Sequence, residues 1–222
     1  MRIRAITPIH IEADELERRR TRYARLAPEG VLVHLDDLGS GPEVPRALDT
    51  TNDVRRSETL VLAEVRRTDF EAYDAVLPDC VLDPGVGEAH DVPMLGILQL
   101  CAHLLASTGQ PVAAVARNEP IAAELERKAV LYGLAGQLTG VRVLGLDVSD
   151  IADDAAWGAA LARGTAGLDA PLVINGCSAV DVRDDSGRGP GVVDPTALAL
   201  RVVGLLVELG LVGQVLQQGA AR

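Results

Sequence analysis

Short apolar runs alternate with amphipathic helical stretches along nearly the whole chain, and that alternation narrows the fold to α/β with a largely parallel sheet. Strands are expected at residues 2–7, 31–35, 75–77, 111–116, 141–146 and 172–174. Helices are expected at about 12–26, 54–67, 97–107 and 153–163. Asn118 followed by Pro120, and Asp194 followed by Pro195, have the cap-plus-proline grammar of helix starts. No low-complexity linker divides the 222 residues, a length that suits one compact domain or two lobes of about 100 residues.

Two of the apolar runs end in the same way. Asp74-Ala-Val-Leu-Pro-Asp-Cys80 and Asp169-Ala-Pro-Leu-Val-Ile-Asn-Gly-Cys177 each lead to a cysteine. Thirteen residues beyond each cysteine stands a proline, Pro93 or Pro190, followed by a short apolar segment and a helical pattern. The echo between residues near 70–108 and 165–209 is supersecondary and too long for a solenoid period. Two strand-end thiols on similar half-units are expected to face each other across a cleft.

A core is available, since hydrophobic residues make up 48% of the chain, but aromatics are only 2%, so Val, Leu, Ile and Ala must build it. The formal net charge of −11 argues against a nucleic-acid surface. Arg18-Arg19-Arg20, set among Glu12, Asp14, Glu15 and Glu17, reads as a solvated, salt-bridged helix face. Three cysteines without a CxxC do not make a secreted disulfide framework, and no signal-peptide apolar core follows Met1. The apolar stretch 197–216 contains Arg201 and Glu208 and reads as a buried or half-buried helix instead of a membrane span. A cytoplasmic homo-oligomer with no membrane or nucleic-acid partner is expected.

Inverting a carbon next to a carboxylate or carbonyl needs a base on one face and an acid on the other. Two cysteines suit that work, because a thiol titrates near pH ~8.5 and is tuned by amides and helix N-termini. Gly85 and Gly87 after Cys80, and Gly176 and Ser178 around Cys177, allow main-chain N–H groups to approach an enolate-like intermediate. The sulfurs are expected about 6–9 Å apart, so that each reaches the central carbon or its proton at about 3–3.5 Å. Cys101, within an apolar helix, reads as core. His10, His34, His90 and His103 show no metal spacing, although His10 and His90 stand near the expected cleft. Asp83-Pro84-Gly85 is first of all a turn, Gly85-Val-Gly87 is a weak dinucleotide-loop fragment, and there is no P-loop or GxSxG.

The same residues resemble the aspartate/glutamate/hydantoin racemase superfamily, its hydantoin-racemase branch in particular. Cys80-Val-Leu-Asp83-Pro84-Gly85, Val92-Pro93-Met94-Leu95-Gly96-Ile97, Gly176-Cys177-Ser178-Ala179 and Gly191-Val-Val-Asp194-Pro195 carry the resemblance, over most of residues 70–212. It implies two pseudo-symmetric lobes, each a mainly parallel sheet flanked by helices, with the active site in the cleft between them. It also implies that no metal, nucleotide or pyridoxal cofactor takes part. The chain departs from the family at Thr7-Pro8-Ile9, where Asn-Pro-Asn is common, and at Ala116-Arg117-Asn118, where threonines are usual. The second motif also lacks the Thr-His or Thr-Glu pair found after the cysteine in amino-acid racemases.

These readings predict a first lobe of residues 1–96 completed by 196–222, and a second of 97–195. Cys80 and Cys177 are the catalytic candidates. Thr7, Pro8, Ile9, Val81, Arg117, Asn118 and Ser178 are the candidates for binding a small carboxylate or carbonyl substrate. Arg117, at the end of the fourth strand, is expected near an anionic group of that substrate. The expected activity is a cofactor-independent racemase or epimerase. The competing readings are a cis–trans isomerase of an unsaturated acid with a cysteine nucleophile, and a non-catalytic small-acid-binding protein. An arylmalonate-type decarboxylase is disfavoured by Cys80, since those relatives resemble a version with only the second cysteine.

Overall fold

The computed structural model describes residues 1–87, 93–182 and 190–213. Two parallel sheets form from strands that repeat one order. In the first, β1 (Arg2–Ile6) lies between β2 (Leu32–Asp36) and β3 (Ala75–Pro78). In the second, β4 (Val112–Ala116) lies between β5 (Leu138–Val143) and β6 (Leu172–Asn175), with β7 (Gly191–Val193) beyond β6. Met94 makes a parallel bridge to Val76 of β3, the place that β7 takes beside β6. The order β2-β1-β3 with its Met94 bridge thus matches β5-β4-β6-β7. The two halves are copies of one unit.

The helices follow the same repeat: α1 (Ala13–Leu26), α2 (Thr51–Val65) and α3 (Ile97–Ser107), then α4 (Glu119–Ala129), α5 (Asp154–Thr165) and α6 (Pro195–Glu208). Side-chain caps begin several of them. Asn118 accepts from Ile121 N–H at the start of α4, and Asp194 accepts from Ala197 N–H at the start of α6. Thr50 and Asp53 form a reciprocal box that starts α2 three residues before the apolar pattern does. A π-helical turn, Val130–Leu134, extends α4, and a 3₁₀ turn, Val148–Ala152, precedes α5.

The two most apolar helices exchange sides. Leu98, Cys101, Ala102 and Leu105 of α3 pack in one cluster with Val112, Ala114 and Ala116 of β4 and Ile174 of β6. Ala199, Leu200 and Val203 of α6 pack with Ile3, Ala5, Leu35 and Leu77 of the first sheet. Each sheet is therefore covered by the helix that follows the other half's last strand or bridge. Among the described residues no helix is long and apolar enough to cross a membrane.

Two sequence expectations need correction. The strand expected at 141–146 runs instead from Leu138 to Val143. It is the edge strand of its sheet and its sides are only partly covered, so apolarity marks it poorly. Leu144 has left the strand, although its N–H still reaches Ala116 O, and its side chain packs against the cluster of Ala113 and Val115. The arginines of α1 are salt-bridged but not uniformly solvated, because Arg19 and Arg22 are buried.

Candidate active site

Parallel strands deliver their carboxyl ends to one side of a sheet, and ligands of open α/β folds gather there. Here four such ends converge. Cys80 stands two residues past β3 and Cys177 two residues past β6. Thr7-Pro8-Ile9 follows β1, and Arg117-Asn118 follows β4. Between them lies a cavity of about 60 Å³, lined by Cys80 and Cys177 together with Pro8, Ile9, Val81, Arg117 and Ser178. That is room for a few water molecules or a small reacting group.

Two of the expected binding residues support this wall from behind. Thr7 is fully buried and its hydroxyl donates to Ile9 O at 2.7 Å. Asn118 caps α4 while its amide donates to Leu48 O at 2.9 Å and to Asp49 Oδ1 at 3.2 Å. Arg117 reaches the cavity wall, but its guanidinium donates to Asp49 Oδ1 at 2.6 Å and, more loosely, to the carbonyls of Leu48 and Leu146. His10 is not part of the lining, its Nδ1 lying 2.9 Å from Asp37 Oδ2. His90 lies outside the described residues.

The residues that sequence reasoning passed over are Arg19 and Asp79. Asp79 is buried directly before Cys80, and its carboxylate accepts from Tyr23 Oη at 2.8 Å and from Arg19 Nη1 at 3.1 Å. Arg19 Nε donates in turn to Glu15 at 2.6 Å. Leu16 and Tyr23 mark the buried face of α1, and Arg19 lies between them at helical spacing, which is the signal that a run of three arginines obscures. Burial works against the Arg19 charge, but Asp79 and Glu15 outweigh it and hold its pKa above the ordinary arginine value. Leu48, Ile121, Val148 and Ile151 complete a mainly apolar lining.

Each cysteine loop is held from several sides. In the second, Ser178 Oγ donates to Asp79 O at 3.1 Å, and Thr196 Oγ1 donates to Ser178 O at 3.0 Å. Arg18 reaches Ala179 O at 3.0 Å, Arg22 reaches Val180 O at 2.9 Å, and Asn175 Nδ2 reaches Cys177 O at 3.1 Å. In the first, Lys128 Nζ donates to Asp83 O at 3.0 Å, and Gly85 N–H donates to Glu58 at 3.0 Å. The Asp83 carboxylate accepts from Leu98 and Gln99 N–H at the start of α3, with φ at +47° for this non-glycine residue. Burial raises the Asp83 pKa to about 7 against the pull of those amides. Among the described residues, the N–H groups of Val81 and Ser178, each one residue past a cysteine, donate to no protein acceptor.

The two thiols have unlike surroundings. Burial pushes both pKa values up. Leu82 N–H, 3.4 Å from Cys80 Sγ, pulls that value back, but Asp79 and Asp83 add to the rise. At Cys177 the Ala179 N–H, Arg19 and Arg22 all favour the thiolate, and Asp79 opposes them. Cys101 is fully buried in the apolar cluster and its pKa is raised by burial to about 12. Among the described residues no group of His, Cys, Asp and Glu is placed to hold a metal ion.

No family model and no curated protein sequence matches the chain. Solved structures do. An allantoin racemase from Pseudomonas fluorescens superposes with a TM-score of 0.76 at 20% identity, over 100% of this chain and 97% of that one. An allantoin racemase from Klebsiella pneumoniae gives 0.74 at 20% identity, over 95% and 89%. A maleate isomerase from Pseudomonas putida, solved with maleate, gives 0.60 at 14% identity, over 95% and 92%. The fold is the racemase fold that the cysteine motifs resemble.

Proposed function

We propose that this protein is a cofactor-independent racemase or epimerase that inverts a carbon α to a carboxyl or carbonyl group, with Cys80 and Cys177 as its two acid–base groups. The observation that carries this reading is that the two cysteines, at matching ends of β3 and β6, line one cavity. One thiolate removes the α-proton, and the opposite thiol delivers its own proton to the other face. The electrons left on carbon move into the carbonyl, and the negative oxygen needs fixed donors. The N–H groups of Val81 and Ser178 are suited to that role, because among the described residues no acceptor competes for them.

The fold shared with two allantoin racemases supports the reaction class. The apolar walls of Leu48, Ile121, Val148 and Ile151 support a substrate whose substituent is hydrophobic. Asp49 already balances the charge of Arg117, so the substrate's carbonyl or carboxyl group falls to the cysteine loops and Ser178.

Cys80→Ser and Cys177→Ser test the mechanism. Each is expected to lower inversion by about 10²–10⁴-fold, the usual weight of a positioned acid or base. Exchange of the α-proton with deuterium from solvent, followed by NMR on a panel of amino acids, hydantoins and lactones, should survive in each variant only on the enantiomer whose α-proton faces the remaining cysteine. Full racemisation by either variant overturns the two-base reading. A covalent substrate adduct in the intact mass would instead point to addition–elimination by a cis–trans isomerase.

A further inference from the structure

Cys80 borders two spaces. Its inner side lines the cleft cavity, and its other side lines a void of about 10 Å³ between α2 and the Cys80 loop. Val54, Ser57 and Glu58 of α2, Leu82 and Pro84 of the loop, and Glu124 of α4 line it. A space of that size holds about one water molecule if polar groups surround it. Of the lining residues, Cys80, Ser57, Glu58 and Glu124 carry groups able to bond a water there. The Glu58 side chain lines this space and is also 29% exposed to solvent.

Among the described residues, the matching positions of the second half are filled differently. Counted from the first helical residue, Val54 is the fourth of α2 and Trp157 the fourth of α5. Glu58 is the eighth of α2, and its counterpart in α5 is Leu161. The Trp157 indole is buried, and its N–H donates to Asn175, whose amide holds Cys177 O. Where the first half has a void and a carboxylate, the second has an aromatic ring and a leucine.

We propose that Glu58 exchanges protons between Cys80 and solvent through a single water in this void, while Cys177 exchanges only through the cleft. The inference rests on Cys80 being an acid–base group and adds how that group is reset. Each inversion leaves the two cysteines with their protonation states exchanged, so one must release a proton and the other regain one before the same enantiomer reacts again. In release, the Cys80 S–H bond breaks with its electron pair left on sulfur. The water takes that proton as it passes one of its own to the Glu58 carboxylate, which sheds it to bulk; reprotonation of Cys80 runs the same steps backwards. Glu58 acts through Cys80 and touches no substrate. Its Oε1 already accepts from Gly85 and lies 3.6 Å from Lys128 Nζ, which keeps the carboxylate in place.

Infrared spectroscopy on the whole protein tests this without a substrate. After transfer to D₂O, the Cys80 S–H band, assigned by its loss in Cys80→Ser, should convert to S–D faster than the band of the fully buried Cys101. Glu58→Gln keeps an oxygen for Gly85 N–H but cannot take up a proton in this range, and it should slow that conversion by more than about tenfold. Val54→Ile fills the void without touching the carboxylate and should slow it as well. Unchanged Cys80 exchange in either variant overturns the relay. A second readout is deuterium wash-in to recovered substrate: Glu58→Gln should lower it for the enantiomer that still exchanges in Cys177→Ser, and leave the other as it was. An equal effect on both enantiomers also counts against the relay. If no panel compound exchanges with the unsubstituted protein, the racemase reading fails while the infrared comparison still judges the relay.

Discussion

Cys80 and Cys177 occupy matching positions, yet carboxylates crowd the first and guanidinium groups the second. Cys177 should therefore carry the thiolate when the pair shares one proton, and react first with a small alkylating reagent at neutral pH. Cys80 should follow, and Cys101 should remain unlabelled in the folded protein; peptide mass mapping reads the order. The double substitution Arg19→Gln/Asp79→Asn removes the buried pair together, which spares the fold the about 3–5 kcal/mol that one stranded charge costs. It should slow Cys177 labelling, while Cys80, relieved of Asp79, should not slow, and an unchanged order and ratio would remove Arg19 from the account. The cysteines are legible in the sequence because each ends an apolar strand among polar neighbours. Arg19 is not, because its burial is decided by Asp79, a residue 60 positions away on another element. Lys128, the only lysine of the chain, is equally silent in sequence, and its role is to hold the Cys80 loop through Asp83 O.

At the scale of elements, α1 fastens the second cysteine loop to the first half. Arg18, Arg22 and Arg25 reach Ala179 O, Val180 O and Asp181, and Arg22 also pairs with Asp194 at the start of α6. Helix starts are readable in advance, since Asn118 and Asp194 announce themselves by type and by the proline that follows. Edge strand β5 is not, because its exposure removes the apolar signal. The turn from β6 into the Cys177 loop depends on Gly176. A Cβ there would collide with the Val115 carbonyl oxygen and press on Leu125 Cδ1 at 3.0 Å and Ala116 Cα at 3.2 Å. These are backbone atoms or packed core, so they cannot easily yield. Gly176→Ala is expected to cost about 1–3 kcal/mol in urea denaturation and to depress turnover further by displacing Cys177. Gly158→Ala, in α5 with open space around it, should instead raise stability by about 0.5–1 kcal/mol. Equal behaviour of the two variants would contradict the close packing of the loop.

At the scale of the molecule, the exchange of α3 and α6 ties the halves into one body. We propose the division of 1–96 with residues from 196 onward, and 97–195, as the one that keeps each apolar cluster with its own covering helix. The order of strands and helices within each half follows from periodicity and capping in the sequence. The expected lobes, 1–96 with 196–222 and 97–195, already assign α6 to the first sheet and α3 to the second, but periodicity and capping alone do not decide this, because both helices are apolar. Helices that cross over should make unfolding a single transition. Leu200 is fully buried on α6 against the first sheet, whereas Trp157, the only tryptophan, reports from the second half. Leu200→Ala should cost about 2–5 kcal/mol by leaving a cavity. The loss should move the Trp157 fluorescence transition and the far-ultraviolet circular dichroism transition together. A fluorescence transition that stays in place while the dichroism transition shifts would mean that the halves unfold separately, and the exchanged helices would then not couple them.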